Sequence, residues 1–256
     1  MSTKHKPPTS HYHEAIARQP GRVAGLTRKP GGATDETKQI VIDAILKKAN
    51  DYGLSDKDKA NLIAIANIKS GFNPDAASTT STASGVMQVI DQTADDMKKL
   101  SGSKIIGGHR LETYDRFDMN SNIEYGIATY LAKKHIAKSD DVGDIYTKYN
   151  PNPDKNKKYI KPLQDASKAF EKEIKDNKGR VKLETVYSQT NSPRPHAHPS
   201  TQQPRHPHHP ATPAKHLSAD PHRIQGVAPP AWSQPDALGI RSPMVCYDTH
   251  ILEKLF

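Results

Sequence analysis

An all-α domain between two weakly packing arms is the fold class this sequence predicts, and three observations carry it. Apolar residues recur at helical spacing in several segments between residues 34 and 176, and none of those segments reads convincingly as a strand. Only 34% of the 256 residues are hydrophobic and 6% aromatic, with a mean hydropathy of −0.78. That is too little apolar surface for one packed unit spanning the whole chain. Finally, 12 of the 20 prolines and 8 of the 13 histidines fall from Pro193 onward, a composition that favours extended chain over packing. The expected layout is a flexible basic leader at 1–33, a helical domain at 34–176 and a Pro/His-rich disordered tail at 177–256. Residues 231–256 regain apolar side chains (Trp232, Met244, Val245) and read as a short docking segment or an uninformative terminus.

The elements follow in order. Pro7, Pro8, Pro20, Pro30, Gly31 and Gly32 punctuate the leader. Thr34 or Asp35 then caps a helix carrying Ile40, Val41, Ala44, Ile45 and Ala49, and Tyr52-Gly53-Leu54 breaks it. Ser55, with Asp58 three residues on, opens a second helix through Leu62, Ile63, Ala66 and Ile68. That helix is apolar nearly all round and should be buried. Gly71 ends it, and Asn73-Pro74 forbids its continuation, which places Lys69 at its C-terminal end. Residues 75–84 read as a loop, Gly85 to Ile90 as a short apolar piece and Asp91 to Leu100 as a helix. Ser101 to Arg116 is a glycine-containing loop. Asp118 or Asn120 caps a long helix through Ile123, Ile127, Tyr130 and Leu131. A short helix is expected around Asp141 to Tyr149 and a last one from about Leu163 to Ile174.

The net charge of +9 and a pI near 9.4 suit an anionic partner: nucleic acid, an anionic membrane surface or an acidic wall polymer. Charge alone does not choose among them, and no nucleic-acid recognition motif is present, so no nucleic-acid partner is expected. No run of about 18 apolar residues exists, so no membrane span is expected. Met1 to Glu14 is basic and polar without an apolar stretch, unlike a standard secretory signal. The single cysteine, Cys246, leaves no intrachain disulfide and no cysteine-based zinc site. The histidines of the tail lack a fixed scaffold, so neither a metal nor any other cofactor is expected.

The residues that carry chemistry form a series of four motifs. The first runs Ile68-Lys69-Ser70-Gly71-Phe72-Asn73-Pro74-Asp75-Ala76-Ala77-Ser78. The second is Ala83-Ser84-Gly85-Val86-Met87-Gln88-Val89-Ile90, followed by Thr93-Ala94. The third, Asp118 to Leu131, contains Asn122-Ile123, Gly126 and Tyr130-Leu131. The fourth is Tyr149-Asn150, ahead of Tyr159-Ile160. Each is weak alone, but in this order they resemble the soluble lytic transglycosylase domain, over about residues 37–165.

The resemblance implies a lysozyme-like helical fold and a peptidoglycan glycan-strand ligand. Such enzymes cleave the β-1,4 bond between N-acetylmuramic acid and N-acetylglucosamine without hydrolysis and leave a 1,6-anhydro sugar. One glutamate acts first as acid and then as base, unlike the usual two-carboxylate plan. On this chain the matching position is Lys69. Ser78, Met87 and Gln88 match residues that line or orient the sugar subsites, Tyr149 matches the tyrosine beside the catalytic carboxyl, and Asn150 follows it. Read without the resemblance, Met87 fits plain core packing, Ser78 and Gln88 fit loop backbone satisfaction, and Tyr149 fits helix-end packing. Where the family continues with Ala-Gly after Tyr149-Asn150, this chain has Pro151-Asn152-Pro153.

A lysine at the acid/base position argues against turnover. Its ordinary pKa, about 10.4, makes it a poor base and a reluctant acid, its stem is longer than that of glutamate, and an ammonium opposes an oxocarbenium-like transition state. Little or no glycan cleavage is therefore expected. Three explanations compete: an inactivated form of an active enzyme, a natural pseudoenzyme acting as a peptidoglycan-binding or secretion-associated adaptor, or takeover by another acid such as Asp75, Asp91 or Glu124. The implied setting is the bacterial cell envelope, reached by a non-Sec route, with a secretion-machine, phage or inhibitor protein as further partner.

Overall fold

The computed structural model describes residues 25–78, 81–149 and 153–190. Asn150, the Pro/His-rich tract and the segment 231–256 lie outside them. Seven α-helices and one 3-10 turn make up the described part: α1 (Asp35–Asp51), α2 (Asp56–Ser70), α3 (Asp91–Lys99), the 3-10 turn (Lys104–Ile106), α4 (Met119–Ala137), α5 (Val142–Thr147), α6 (Pro153–Asp176) and α7 (Leu183–Thr190). Extended pairing among the described residues is limited to isolated antiparallel bridges, Ala77 with Ser84 and Ser84 with Val89. The all-α expectation therefore holds.

The helix starts obey local chemistry. The Thr34 hydroxyl accepts from the Thr37 amide, the Ser55 hydroxyl from the Asp58 amide and the Asp118 carboxylate from the Ser121 amide. Gly71 closes α2 in the left-handed conformation, φ +58°. Helix α2 is buried along most of its length, with Leu62, Ile63, Ala64, Ile65 and Ala66 all inaccessible or nearly so. It packs mainly against α6, which also covers α5.

Helix α6 begins ten residues before the expected start at Leu163. Pro162 and the lysine-rich stretch ahead of it argue locally against helix, because proline lacks the amide for the ladder. The stripe Tyr159, Leu163, Ala166, Phe170 and Ile174 is nonetheless buried along one face, and that packing outweighs one lost hydrogen bond.

Residues flanking 34–176 on both sides also make contacts with the helices. Residues 25–33 lie on the segment after α2: the Asn73 amide donates to the Thr27 and Lys29 carbonyls at 2.6 and 2.7 Å, and the Gly31 amide donates to the Ser70 carbonyl at 2.7 Å. At the other end, Val181 and Val186 are buried. The Gln39 side chain donates to the Val181 carbonyl at 3.0 Å and accepts from the Leu183 amide at 3.2 Å. Tyr187 bonds the Asp35 carboxylate and accepts from Lys38. Too few apolar residues mark 177–190 for periodicity to single out α7, whose docking depends on partners in α1. Val186→Ala should accordingly cost about 2 kcal/mol, read as a lowered urea midpoint with an unchanged slope.

One buried polar network ties α2, α4 and α6 together. Asp58 accepts from Tyr130 at 2.6 Å, Lys134 at 2.8 Å and Ser55 at 2.7 Å. Asn61 donates to the Tyr130 hydroxyl at 2.9 Å and accepts from Ser167 at 2.6 Å. Burial alone would raise the Asp58 pKa, but the bonds from Lys134, Tyr130 and Ser55 outweigh it and hold the carboxyl below its ordinary value.

Candidate functional site

The C-terminal turn of α2 delivers Lys69 to a narrow recess of about 200 Å³ including its open mouth, lined by Lys69, Met87, Gln88, Val89, Thr93, Gly126, Thr129 and Tyr149. Lys69 is 9% exposed. Its Nζ donates to the Met87 carbonyl at 3.4 Å and stands 4.1 Å from the centre of the Tyr149 ring, within cation–π range. Burial, and then the neighbouring charge of buried Lys133 on α4, push the Lys69 pKa well down from the usual lysine range. Tyr149 is raised, by burial and by Tyr146, and stays neutral.

The wall opposite Lys69 is the loop between α2 and α3, and Asn122 fastens it. Asn122 is 1% exposed. Its carbonyl oxygen accepts from the Met87 amide at 2.8 Å, and its amide donates to the Ser84 carbonyl at 2.8 Å and to the Tyr114 hydroxyl at 2.9 Å. Gly85, with φ +75°, lies against that side chain: a Cβ there would come 2.4 Å from Asn122 Cγ. Gly126 similarly leaves room for Met87, whose Cγ would sit 2.2 Å from a Cβ at 126. Among the described residues four non-glycine positions, Phe72 at φ 60°, Gln88 at φ 52°, Lys138 at φ 51° and Lys178 at φ 52°, adopt the left-handed region. Of these, Gln88 lines the recess. Asn122→Ala would orphan the Met87 amide and the Ser84 carbonyl, for an expected loss of about 2 kcal/mol. Amide exchange at Met87 should quicken in the same variant.

Of the residues expected to form the site, the fold brings Lys69, Met87, Gln88 and Tyr149 together around the recess. Gln88 spends its side-chain amide on the Ala76 and Gly85 carbonyls, at 3.0 and 2.9 Å. Ser78 is buried beside the loop, where its hydroxyl accepts from the Ser81 amide at 2.9 Å, and it does not line the recess. Asn150 falls outside the described residues. The acids considered as substitutes sit elsewhere: Asp75 accepts from the Gly25 amide at 2.9 Å, Asp91 pairs with Arg116, and Glu124 faces Lys48 and Tyr52, each at 3.5 Å. None of the three lines the recess. Thr93, Thr129 and Gly126 do, and sequence reasoning did not single them out as site residues. Thr93, which follows the second motif, and Gly126, a glycine inside a strong helical pattern, each left a readable trace; Thr129 left none.

An all-α fold that offers its central helix end to a recess walled by a glycine-bearing loop defines a lysozyme-like class of protein. The transglycosylase SLT domain model matches residues 43–172, about half the chain, and this chain belongs to that family. At the level of the family, the implied chemistry is peptidoglycan cleavage in the cell envelope, with peptidoglycan as the bound substrate. No curated protein and no solved structure matches it. Among the described residues no helix is long and apolar enough to cross a membrane.

Proposed function

We propose that this chain binds peptidoglycan glycan strands through the Lys69 recess without cleaving them, and that a glutamate at the same position would give 1,6-anhydro products. One observation carries the reading: the side chain at the acid/base position is a buried amine, held against the Tyr149 ring and the Met87 carbonyl. Neither of its forms serves the reaction. The neutral amine has no ammonium proton to give the glycosidic oxygen. The ammonium places positive charge beside a transition state that is itself cationic. The lysine stem also carries its nitrogen beyond the point a glutamate carboxyl would reach. On this reading Met87 and Gln88 shape the sugar subsites, Tyr149 orients the group at 69, and Ser78 supports the neighbouring loop. The setting is the cell envelope.

Sedimentation with purified sacculi tests the binding, and mass analysis of released muropeptides tests the silence. The full chain should co-sediment and release no anhydro-muropeptides. Anhydro products from the unaltered chain would overturn the silence. A folded chain that leaves sacculi untouched would replace wall binding with the adaptor reading, in which the recess faces a secretion or inhibitor protein.

A further inference from the structure

We infer that residues 25–33 form a detachable clamp that positions the Gln88 wall of the recess, so that peeling this strap away weakens glycan binding. The effect on binding rests on the glycan reading above; the clamp itself does not.

The strap precedes the family domain at 43–172 and turns back on itself. The Leu26 and Thr27 amides donate to the Gly32 carbonyl, and the Gly32 amide donates to the Lys29 carbonyl at 3.1 Å. This turn grips the segment that follows Lys69. The Gly31 amide reaches the Ser70 carbonyl at the end of α2, and the Asn73 side chain donates to the Thr27 and Lys29 carbonyls. The Ala77 amide donates to the Arg28 carbonyl at 2.9 Å, and the Asp75 carboxylate accepts from the Gly25 amide at 2.9 Å. Asn73 is 0% exposed, and its side-chain oxygen accepts from the Asp75 amide at 2.9 Å, so the side chain is held at both ends.

The far side of the same segment carries the recess. The Ala76 carbonyl accepts from the Gly85 amide at 2.8 Å and from the Gln88 side chain at 3.0 Å. Ala77 bridges to Ser84, and Ser84 to Val89. Strap, segment and loop are thus three hydrogen-bonded layers, and Gln88 and Val89 in the innermost layer line the recess. Gln88 holds φ 52°, a backbone state that persists only where the surroundings enforce it. Removing the outer layer loosens the middle one, and with it the acceptor that fixes Gln88.

The strap is built to open before the helices do. Of its side chains only Ala33 is buried, and Leu26 is 69% exposed. Hydrogen bonds with little apolar burial behind them mark segments that open locally at low free energy.

Native-state amide exchange of the full chain at rising urea tests the clamp. The Gly31 and Ala77 amides should open together, with a weaker urea dependence than the Ile65 amide in the core of α2. Opening of all three through global unfolding alone would overturn the clamp. Gly25→Val displaces the strap, since a Cβ at 25 would stand 1.8 Å from Asn73 Oδ1. It should quicken exchange at Ala77 and Gly85 by about tenfold, and lower sacculus affinity by about tenfold in sedimentation. Exchange at Phe170 in α6 should stay unchanged. Leu26→Ala, on the exposed side of the strap, should alter none of these readouts. Faster exchange at Ala77 with none at Gly85 would show that the strap does not reach the recess wall, and would overturn the proposal. Equal sacculus affinity of the two chains despite faster exchange at Gly85 would overturn it as well. If neither chain sediments with sacculi while exchange behaves as expected, the clamp stands and the glycan reading falls. If Gly25→Val does not fold, the urea dependence in the unaltered chain decides.

Discussion

Lys69→Glu is expected to release 1,6-anhydro-muropeptides from sacculi at least about a hundredfold faster than the unaltered chain, the lower end of what a positioned general acid contributes. The substitution shortens the side chain and so draws the functional group back toward the end of α2. The Met87 carbonyl and the Tyr149 ring would still border the introduced group. Two opposing influences would act on the new carboxyl. Burial raises its pKa, while Lys133 lowers it, and a mechanism with one acid that later serves as base needs a value near the working pH. Lys69→Gln is the companion variant. It removes the charge but supplies no acid, and it should stay silent. If Lys69→Gln and Lys69→Glu gained equally, relief of charge rather than acid catalysis would be the cause. If Lys69→Glu folds and gains nothing, the recess is not a latent catalytic centre.

Asp58→Ala should lower stability by about 3 kcal/mol, the usual cost of breaking a buried charged network from one side, or roughly 6–12 °C in the thermal midpoint. It strands the Tyr130 hydroxyl, which is buried between α2 and α4, and deprives Lys134 of one of its two carboxylate partners, Asp140 being the other. The pH dependence follows from the direction of each shift. The Asp58 pKa is lowered in the folded state, so its contribution is complete above the ordinary carboxyl range and is lost as pH falls from about 4 toward the folded value. Burial alone would lower Lys134, but its bonds to Asp140 and Asp58 raise it overall. Its contribution is complete below about 10.4 and is lost as pH rises through the folded value. The substitution should therefore flatten the acid limb of a stability–pH profile. An acid limb identical to that of the unaltered chain would show that Asp58 does not titrate as the network requires. Because Tyr130→Phe acts on the same network, the double variant should lose less than the sum of the two single losses.

Much of the helical part was legible before any coordinates. Thr34, Ser55 and Asp118 are cap residues standing directly before periodic apolar segments, and each accepts a backbone amide where its helix begins. Capping and periodicity are local, and local chemistry can be read in order along a chain. The early part of α6 and the whole of α7 were not legible, since Pro162 and the sparse apolar residues of 177–190 speak against helix until Tyr159, Val181 and Val186 find partners in distant segments. The site shows the same division. The motif around Lys69 identified the helix end and the glycine-bearing loop, but Gln88 and Ser78 turn out to serve backbone groups of the loop, and Thr93 and Thr129 reach the recess only through the packing of α3 and α4.

The sequence by itself determined that helices dominate, where most of them start, and that a cation stands at the end of α2. Only the tertiary structure decided that this cation is buried against Tyr149, in reach of the charge on Lys133, beside a hydroxyl without a protein partner among the described residues. The reason is physical: capping and periodicity depend on residues three or four apart, whereas desolvation and charge coupling depend on segments that meet only when the chain has folded.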